Sequence, residues 1–529
     1  MTPASFLCGK IKSEIFVYCC SLAAMYSESF TFKDMVVVGA LCGVTTLNVF
    51  LSGALTVALP TIGKDLGFKQ ADLQWPLNVF ALSYGCLLLF FGRVGDIVGA
   101  RTLFLVGSAW FSAWSIATAF APSAATFILF VALKGMGAAA NTPAGIGLLS
   151  TYFPPGPKRS KAFGAVGAGQ PLGFIGGLVV GGVLTDSHAT WRAIFYIQAG
   201  LGVLFVVLGW LVLPHALESQ RYKKGLDWGG AVISTVAVGL MTYSLADSGA
   251  ATRGWATPHI PALLATSVVL LGVLLYYEKW REQRDMSVLI PLSIWRQPNA
   301  KMGSMVAVAF LAWWSFNTLA YFATLYYQQV KFVDPAHTSL RFIPMVTSGF
   351  IVNIVTGFLV SRLPGQGLIL AGLAATMVAT IIFSTIDVNA SYWASAFLVM
   401  IFVVGVDAVY PVGNLHLVRS FDEASQSLAG GIFAVATRLG TSIGLALTST
   451  IATAASDRYN AARPDLPAGS PEVLMVGFRA AGWTCFAAAG VAFCIAAFGL
   501  RNIGVVGKTT LQEDEDVLVP TPTPEGGKP

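Results

Sequence analysis

Apolar residues run along this chain in blocks about 20 residues long, parted by short polar stretches. Fourteen such blocks fall near residues 36–60, 76–94, 103–121, 126–149, 162–185, 193–213, 227–246, 259–277, 303–326, 341–361, 367–386, 392–413, 428–452 and 479–500. About 20 apolar residues are needed for a helix to cross the hydrocarbon core of a bilayer. Each block must be helical, because an unpaired backbone amide in lipid costs several kcal/mol. The pattern predicts an all-α polytopic membrane protein with fourteen transmembrane helices. Three charges sit well inside the runs: Lys134 in the fourth, Asp407 in the twelfth and Arg438 in the thirteenth. A central charge of this kind costs roughly 2.5–3.5 kcal/mol on insertion scales, so each must face protein or water, and such positions mark a path for an ion or polar solute.

The blocks repeat. Gly92-Arg-Val-Gly-Asp96-Ile-Val-Gly99-Ala-Arg101 opens a stretch that ends at Gly107, and 265 residues on Gly357 opens a degraded copy ending at Gly372. Gly137 and Pro143 match Gly405 and Pro411 at an offset of 268, which also carries Gln170 onto Arg438 and Gly176 onto Gly444. Spans 1–6 therefore read as one bundle, residues 35–214, and spans 9–14 as its copy, residues 303–500. Residues 215–302 carry two inserted helices and a cytosolic loop; 1–34 form a cytosolic tail and 501–529 a disordered one. Two parallel six-helix halves are a transporter plan with the solute site between them near the midplane.

Composition agrees. Hydrophobic residues make up 55% of the 529, charged residues 11%, and the mean hydropathy is +0.70, values of a membrane protein and not of a soluble domain. The net charge of +6 comes with no basic cluster, so no nucleic-acid partner is expected. Seven cysteines and five histidines show no ligand spacing, so neither a metal site nor a disulfide framework is expected. With the N-terminus in the cytosol, 21 Lys/Arg fall on inner segments and nine on outer ones, which places both termini inside. The sequon Asn389-Ala390-Ser391 then falls in an outer loop.

Candidate chemistry lies at five places. In the turn after span 2, Gly92, Gly95 and Gly99 permit close approach, and Asp96 has three potential partners: helix N-terminal amides, Arg93 and Arg101. Its readings are a gate latch or an ordinary polar turn. In span 5, Gly169, Gly173, Gly177 and Gly181 line one face, which reads as tight helix packing and as a surface on which the two halves rock, and Pro171 removes one helical bond. Lys134 reads as a relay or solute-facing cation, or as a structural partner of a carbonyl, Asn141 or Gln170. Asp407 reads as a protonatable group competing with solute, or as half of a structural pair with Arg438. Tyr410 and Trp314 are aromatics placed to stack flat or cationic solutes, with core packing as the alternative for Trp313, Trp314 and Tyr321. No phosphate-binding or nucleophile motif appears, so neither ATP-driven pumping nor enzyme chemistry is indicated.

Several stretches resemble the major facilitator superfamily, and more closely its fourteen-span drug:proton antiporter branch in fungal form. They are 92-GRVGDIVGARTLFLVG-107, 57-VALPTIGKDLG-67, 191-WRAIFYIQ-198, 340-LRFIPM-345 and 428-LAGGIFAVATRLGTSIGLA-446. The resemblance implies a monomeric secondary transporter that exports small organic compounds (drugs, toxins or secondary metabolites) against protons. It implies no cofactor beyond the proton gradient and a plasma-membrane ahead of a vacuolar location. Spans 1, 4, 9 and 12 would line the cavity, with 2, 5, 10 and 13 beside them. The chain departs from the branch at Leu51, where an acid is usual, at Val131 and Lys134, where arginine and glutamine are usual, and at Gln170-Pro171, where Gly-Pro is usual. These departures keep a second reading open: an importer or facilitator of a nutrient, siderophore or ammonium-like solute.

Overall fold

In the computed structural model the described residues are 30–506 apart from 69–74, 186, 188–189, 214–224, 251–253, 297–300, 388–390, 423–424, 464 and 468. Residues 1–29 and 507–529 of the expected tails, Asn389 and Ala390 of the sequon, and most of the loop between spans 6 and 7 lie outside them. Every apolar block within them is a helix. The first half holds α1 (Phe32–Leu66), α2 (Trp75–Val98), α3 (Ala100–Ala119), α4 (Ala124–Tyr152), α5 (Pro157–Thr185) and α6 (Arg192–Val212). The insert holds α7 (Trp228–Ala250) and α8 (His259–Glu282). The second half holds α9 (Met302–Leu325), α10 (Ile343–Leu359), α11 (Gly365–Thr385), α12 (Phe397–Ser420), α13 (Gln426–Ala462) and α14 (Pro471–Gly499). Thirteen of the fourteen are long and apolar enough to cross a bilayer, and α10 is a shorter apolar helix of 17 residues. The chain is a multi-pass membrane protein. No strand occurs among the described residues.

The helices start where local chemistry stops the chain from extending. Thr31 caps α1 and Asp34 closes a reciprocal capping box, so α1 begins at Phe32, inside the segment expected to be tail. Gly67, at φ 70°, ends α1 in the left-handed conformation that glycine adopts without a Cβ clash. Ser123 and Thr126 make the same kind of box at α4.

Packing repeats with the sequence. In the first half α1 packs on α5, α2 and α3 on α4, and α3 on α6. Eight helices further along, α9 packs on α13, α10 and α11 on α12, and α11 on α14. The matched glycines make matched contacts: Gly107 meets Gly137 between α3 and α4, and Gly372 meets Gly405 between α11 and α12. Arg101 donates to the carbonyls of Trp210 and Leu213 at the end of α6, and its counterpart Gln366 donates to those of Ala496 and Ala497 at the end of α14. The halves meet along two seams, α2 against α13 and α5 against α10. The insert helix α7 packs across the first seam, touching both α2 and α13. Outward faces stay apolar, with Leu204 and Leu211 of α6 and Val269 and Tyr276 of α8 exposed, as lipid contact requires.

Candidate functional site

Helix α12 does not run straight. Residues Val403–Ala408 take the tighter 3-10 form between two α-helical pieces, and Asp407 lies in that stretch. A 3-10 interruption in mid-helix commonly marks a functional hinge. The stretch presses on α11 through Gly405 and Gly372, too closely for any side chain between them. Asp407 then points toward α10 and α5. A Cβ added at Gly349 would stand 2.7 Å from its Oδ2 and 3.6 Å from Pro171, so the carboxylate occupies space that only glycine leaves free. The residue is half-buried and makes no ion pair or hydrogen bond with the described residues.

One turn on, Tyr410 is buried between the halves. It accepts a hydrogen-bond partner in Gln170 of α5, lies over Gly167, and packs its ring 5.8 Å from Phe433 and 6.5 Å from Trp313. Arg438, on α13, is exposed and rests its guanidinium 4.6 Å from the centre of the Tyr84 ring on α2. The Tyr84 hydroxyl donates to Thr142 Oγ1 at 3.0 Å, and Asn48 donates to Asn141 Oδ1 at 2.9 Å and to Thr142 at 3.3 Å. Asp407, Tyr410, Gln170, Arg438 and Tyr84 thus come together from both halves, with Asn48, Asn141 and Thr142 forming the wall behind them. Gln170 and Arg438, matched in the repeat, each reach across to a tyrosine of the opposite half.

Three expectations are corrected. Asp407 and Arg438 form no ion pair; Arg438 rests on the Tyr84 ring, and Asp407 lies beside Gly349. Lys134 does not face the space between the halves. It is fully buried within the first half, donates to Gln198 Oε1 on α6, and sits 4.7 Å and 5.0 Å from the rings of Phe111 and Phe195. Gln198 passes the bond on to the Leu47 carbonyl of α1, so the partner is neither Asn141 nor Gln170. Trp314 fills the α9–α13 contact, over Gly444, and donates to Thr448, whereas its neighbour Trp313 meets Tyr410. The residues missed by the sequence reading are Asn48, Tyr84, Thr142 and Gln198. Their only signal is a hydrogen-bonding group inside an apolar block.

The glycine face of α5 packs, but not where expected. Gly169, Gly173, Gly177 and Gly181 lie against Cys42, Thr46, Phe50 and Ala54 of α1, within one half. The seam between halves uses other glycines: Gly164 against Gly357, and Gly167 against Asn353 and Tyr410. Pro171 lies off the glycine face, beside Asp407.

Below the site, the seam is shut by residues 92–98, expected as a turn and found as the last turns of α2. Asp96 accepts from the Ser427 and Leu428 amides at 2.9 and 3.2 Å, capping α13 with a negative charge at the positive end of its dipole. Arg93 Nη1 stands 4.0 Å from Asp96 and 3.3 Å from Ser425 Oγ. Gly92 and Gly95 let α2 come within contact of Leu428 and Ser427, and Gly99, at φ 111°, turns the chain into α3. Arg101 serves α6 and not Asp96. Gly147 on Ser427 and Ile146 on Gly430 continue the closure. Among the described residues no group of three His, Cys, Asp or Glu is placed to hold a metal ion.

Comparison with known proteins agrees with this architecture. The profile of the Major Facilitator Superfamily matches residues 41–445. The chain is 31% identical to "MFS-type transporter 1" of Pyricularia oryzae, over 90% of this chain and 85% of that one. It is 28% identical to the "Low affinity ammonium transporter" of Saccharomyces cerevisiae, over 79% and 82%, and 26% identical to "Efflux pump terJ" of Aspergillus terreus, over 76% and 77%.

Proposed function

Since the chain belongs to the Major Facilitator Superfamily, we propose that it exports small organic compounds in exchange for protons, as a member of the fourteen-span drug:proton antiporter branch. The observation that carries this reading is the convergence of Asp407, Tyr410, Gln170, Arg438 and Tyr84 from both halves of the bundle. Residues 35–214 and 303–500 act as the two rocking bodies, with 215–302 as the insert. The Asp96 latch closes the cytosolic end, so the protein is poised to release solute outward or to take up a proton there. Asp407, unpaired and half-buried, is the group at which proton and solute compete. Arg438 and the aromatic rings of Tyr84, Tyr410 and Trp313 hold the solute body. Each ligand biases the two-state equilibrium only through its differential affinity for the two states. The working unit is a monomer in the plasma membrane with both termini in the cytosol.

Reconstituted vesicles carrying a pH gradient provide the test. Wild type is expected to drive an organic dye against its gradient and to stop when a protonophore is added. Asp407→Asn is expected to reach the membrane and to retain exchange of dye for dye, while losing gradient-driven movement. Full coupling in that variant would remove Asp407 from the proposal.

A second reading is supported by Leu51, which stands where the branch carries an acid, and by the ammonium transporter among the relatives. In it the protein admits a nutrient or ammonium-like solute without proton exchange. Uptake of radiolabelled methylammonium that ignores the protonophore would favour it over export.

A further inference from the structure

Between α8 and α9 the chain doubles back under the closed end, and it is gripped there from two sides. The last turns of α8 hold it by its backbone. Glu278 accepts from the Leu289 amide at 2.9 Å and from the Ile290 amide at 3.4 Å, and Glu282 accepts from the Leu292 and Ser293 amides at 3.1 and 3.0 Å. Arg281 donates to the Ser287 carbonyl at 2.7 Å and to its hydroxyl at 2.9 Å, and is itself held 3.3 Å from Asp227. From the other side the latch arginine takes hold. Arg93 Nε and Nη2 both donate to the Val288 carbonyl, at 3.1 and 2.7 Å. Arg93, Glu278, Asp227 and Leu289 are each no more than 1% exposed, so these charges are spent on this segment and not on solvent.

We infer that residues 286–293 are a strap that forms a third part of the closed gate, and that Glu278 is a positioning residue that presents the Val288 carbonyl to Arg93. The inference rests on the alternating-access reading above. Opening at this end requires α2 to part from α13, taking Asp96 off the Ser427 and Leu428 amides and Arg93 off Ser425. The strap lies at that joint and leads into α9, so it must let go of Arg93 or be carried with it. Glu278 fixes the strap in the register at which a forked guanidinium meets one carbonyl. The insert therefore sets how firmly the latch closes. Neutralising Glu278 to Gln removes the charge and one of the two acceptor oxygens, which weakens the hold on the strap and shifts the population toward the state open at the latch end.

The test uses the full-length chain with its native cysteines replaced. Ile146→Cys reports the latch end, since Ile146 is buried against Gly430; Thr441→Cys, one turn from Arg438, reports the site side. Alkylation by a hydrophilic maleimide is timed with and without Glu278→Gln. The expected result is a rise of about fivefold at position 146 together with a fall at 441, because a population shift moves the two in opposite directions. A loosened fold would raise both, and that outcome overturns the inference. Asp96→Asn serves as the reference. If it moves the rates and Glu278→Gln does not, the strap is rejected and alternating access stands; if neither moves them, both fall. Should the Gln variant fail to accumulate, Arg281→Lys, which keeps the charge beside Asp227 but loses the fork on Ser287, is expected to give the same pair of changes at smaller size, and unchanged rates would reject the strap.

Discussion

At the scale of single residues, two charges inside spans of opposite halves have opposite solutions. Asp407 is left without a partner beside a glycine, and Lys134 is wrapped in an amide and two rings. The first arrangement keeps a carboxylate available, and the second retires an ammonium into the wall. Gly349→Val should therefore displace the Asp407 carboxylate and reduce gradient-driven flux, with a loss of fold stability of about 1–3 kcal/mol from overpacking. Flux and thermal unfolding of the purified variant measure the two effects. An undiminished flux would mean that the position of the carboxylate does not matter. For Lys134 the prediction is a stability cycle. Gln198→Leu strands the ammonium and should cost about 3–5 kcal/mol. Adding Lys134→Met should recover most of that loss and leave transport intact. Transport lost in the well-folded double variant would return Lys134 to the site. The sequence made both residues conspicuous and left their surroundings open. Lys134 and Asn141, seven residues apart, share a face of α4, but nothing in their spacing says that this face looks toward α1 and α6.

At the scale of elements, helices were legible and their joints were not. All fourteen apolar blocks became helices because lipid allows a spanning backbone no other way of satisfying its amides. Their ends depend on caps, as at Thr31 and Ser123, and hydropathy does not register caps. The 3-10 stretch around Asp407 left no mark on the apolar pattern, since a tighter winding changes direction and not composition. The segment from Gly92 to Gly99 was the opposite case. Its glycines and Asp96 were readable as a latch, and the structure supplies the receiving end, the N-terminus of α13. Asp96→Ala should leave two buried amides unanswered. Hydrogen bonds to a charged group contribute about 1.5–3 kcal/mol each, so the closed state should lose several kcal/mol relative to the open one. Hydrogen exchange at Ser427 and Leu428 should quicken at least tenfold, a change of about 1.4 kcal/mol or more in local opening. Unchanged protection would show that Asp96 does not hold this helix end.

At the scale of the whole molecule, the internal repeat is a statement about contacts. An offset of 265 or 268 residues, visible in the chain, carries Gly107–Gly137 onto Gly372–Gly405 and the Arg101 cap onto the Gln366 cap. It also relates the two seams, since Gly92 against Leu428 maps onto Gly357 against Ser160. What the repeat leaves out is the insert, which covers the α2–α13 seam and leaves the α5–α10 seam without such a helix. A side chain wedged into either seam acts on the same pair of rocking bodies and should open the same end. Gly357→Val meets the Gly164 and Ser160 backbone, which cannot yield by rotating a side chain. Gly92→Val meets the Leu428 and Ser427 backbone in the same way. Each is therefore expected to raise maleimide labelling of Ile146→Cys, with the larger rise for Gly357→Val, because α7 and the Arg93-held strap brace the other seam. If the Gly92 wedge proved the more disruptive of the two, the insert would not be a brace, and the closed end would depend on the latch alone.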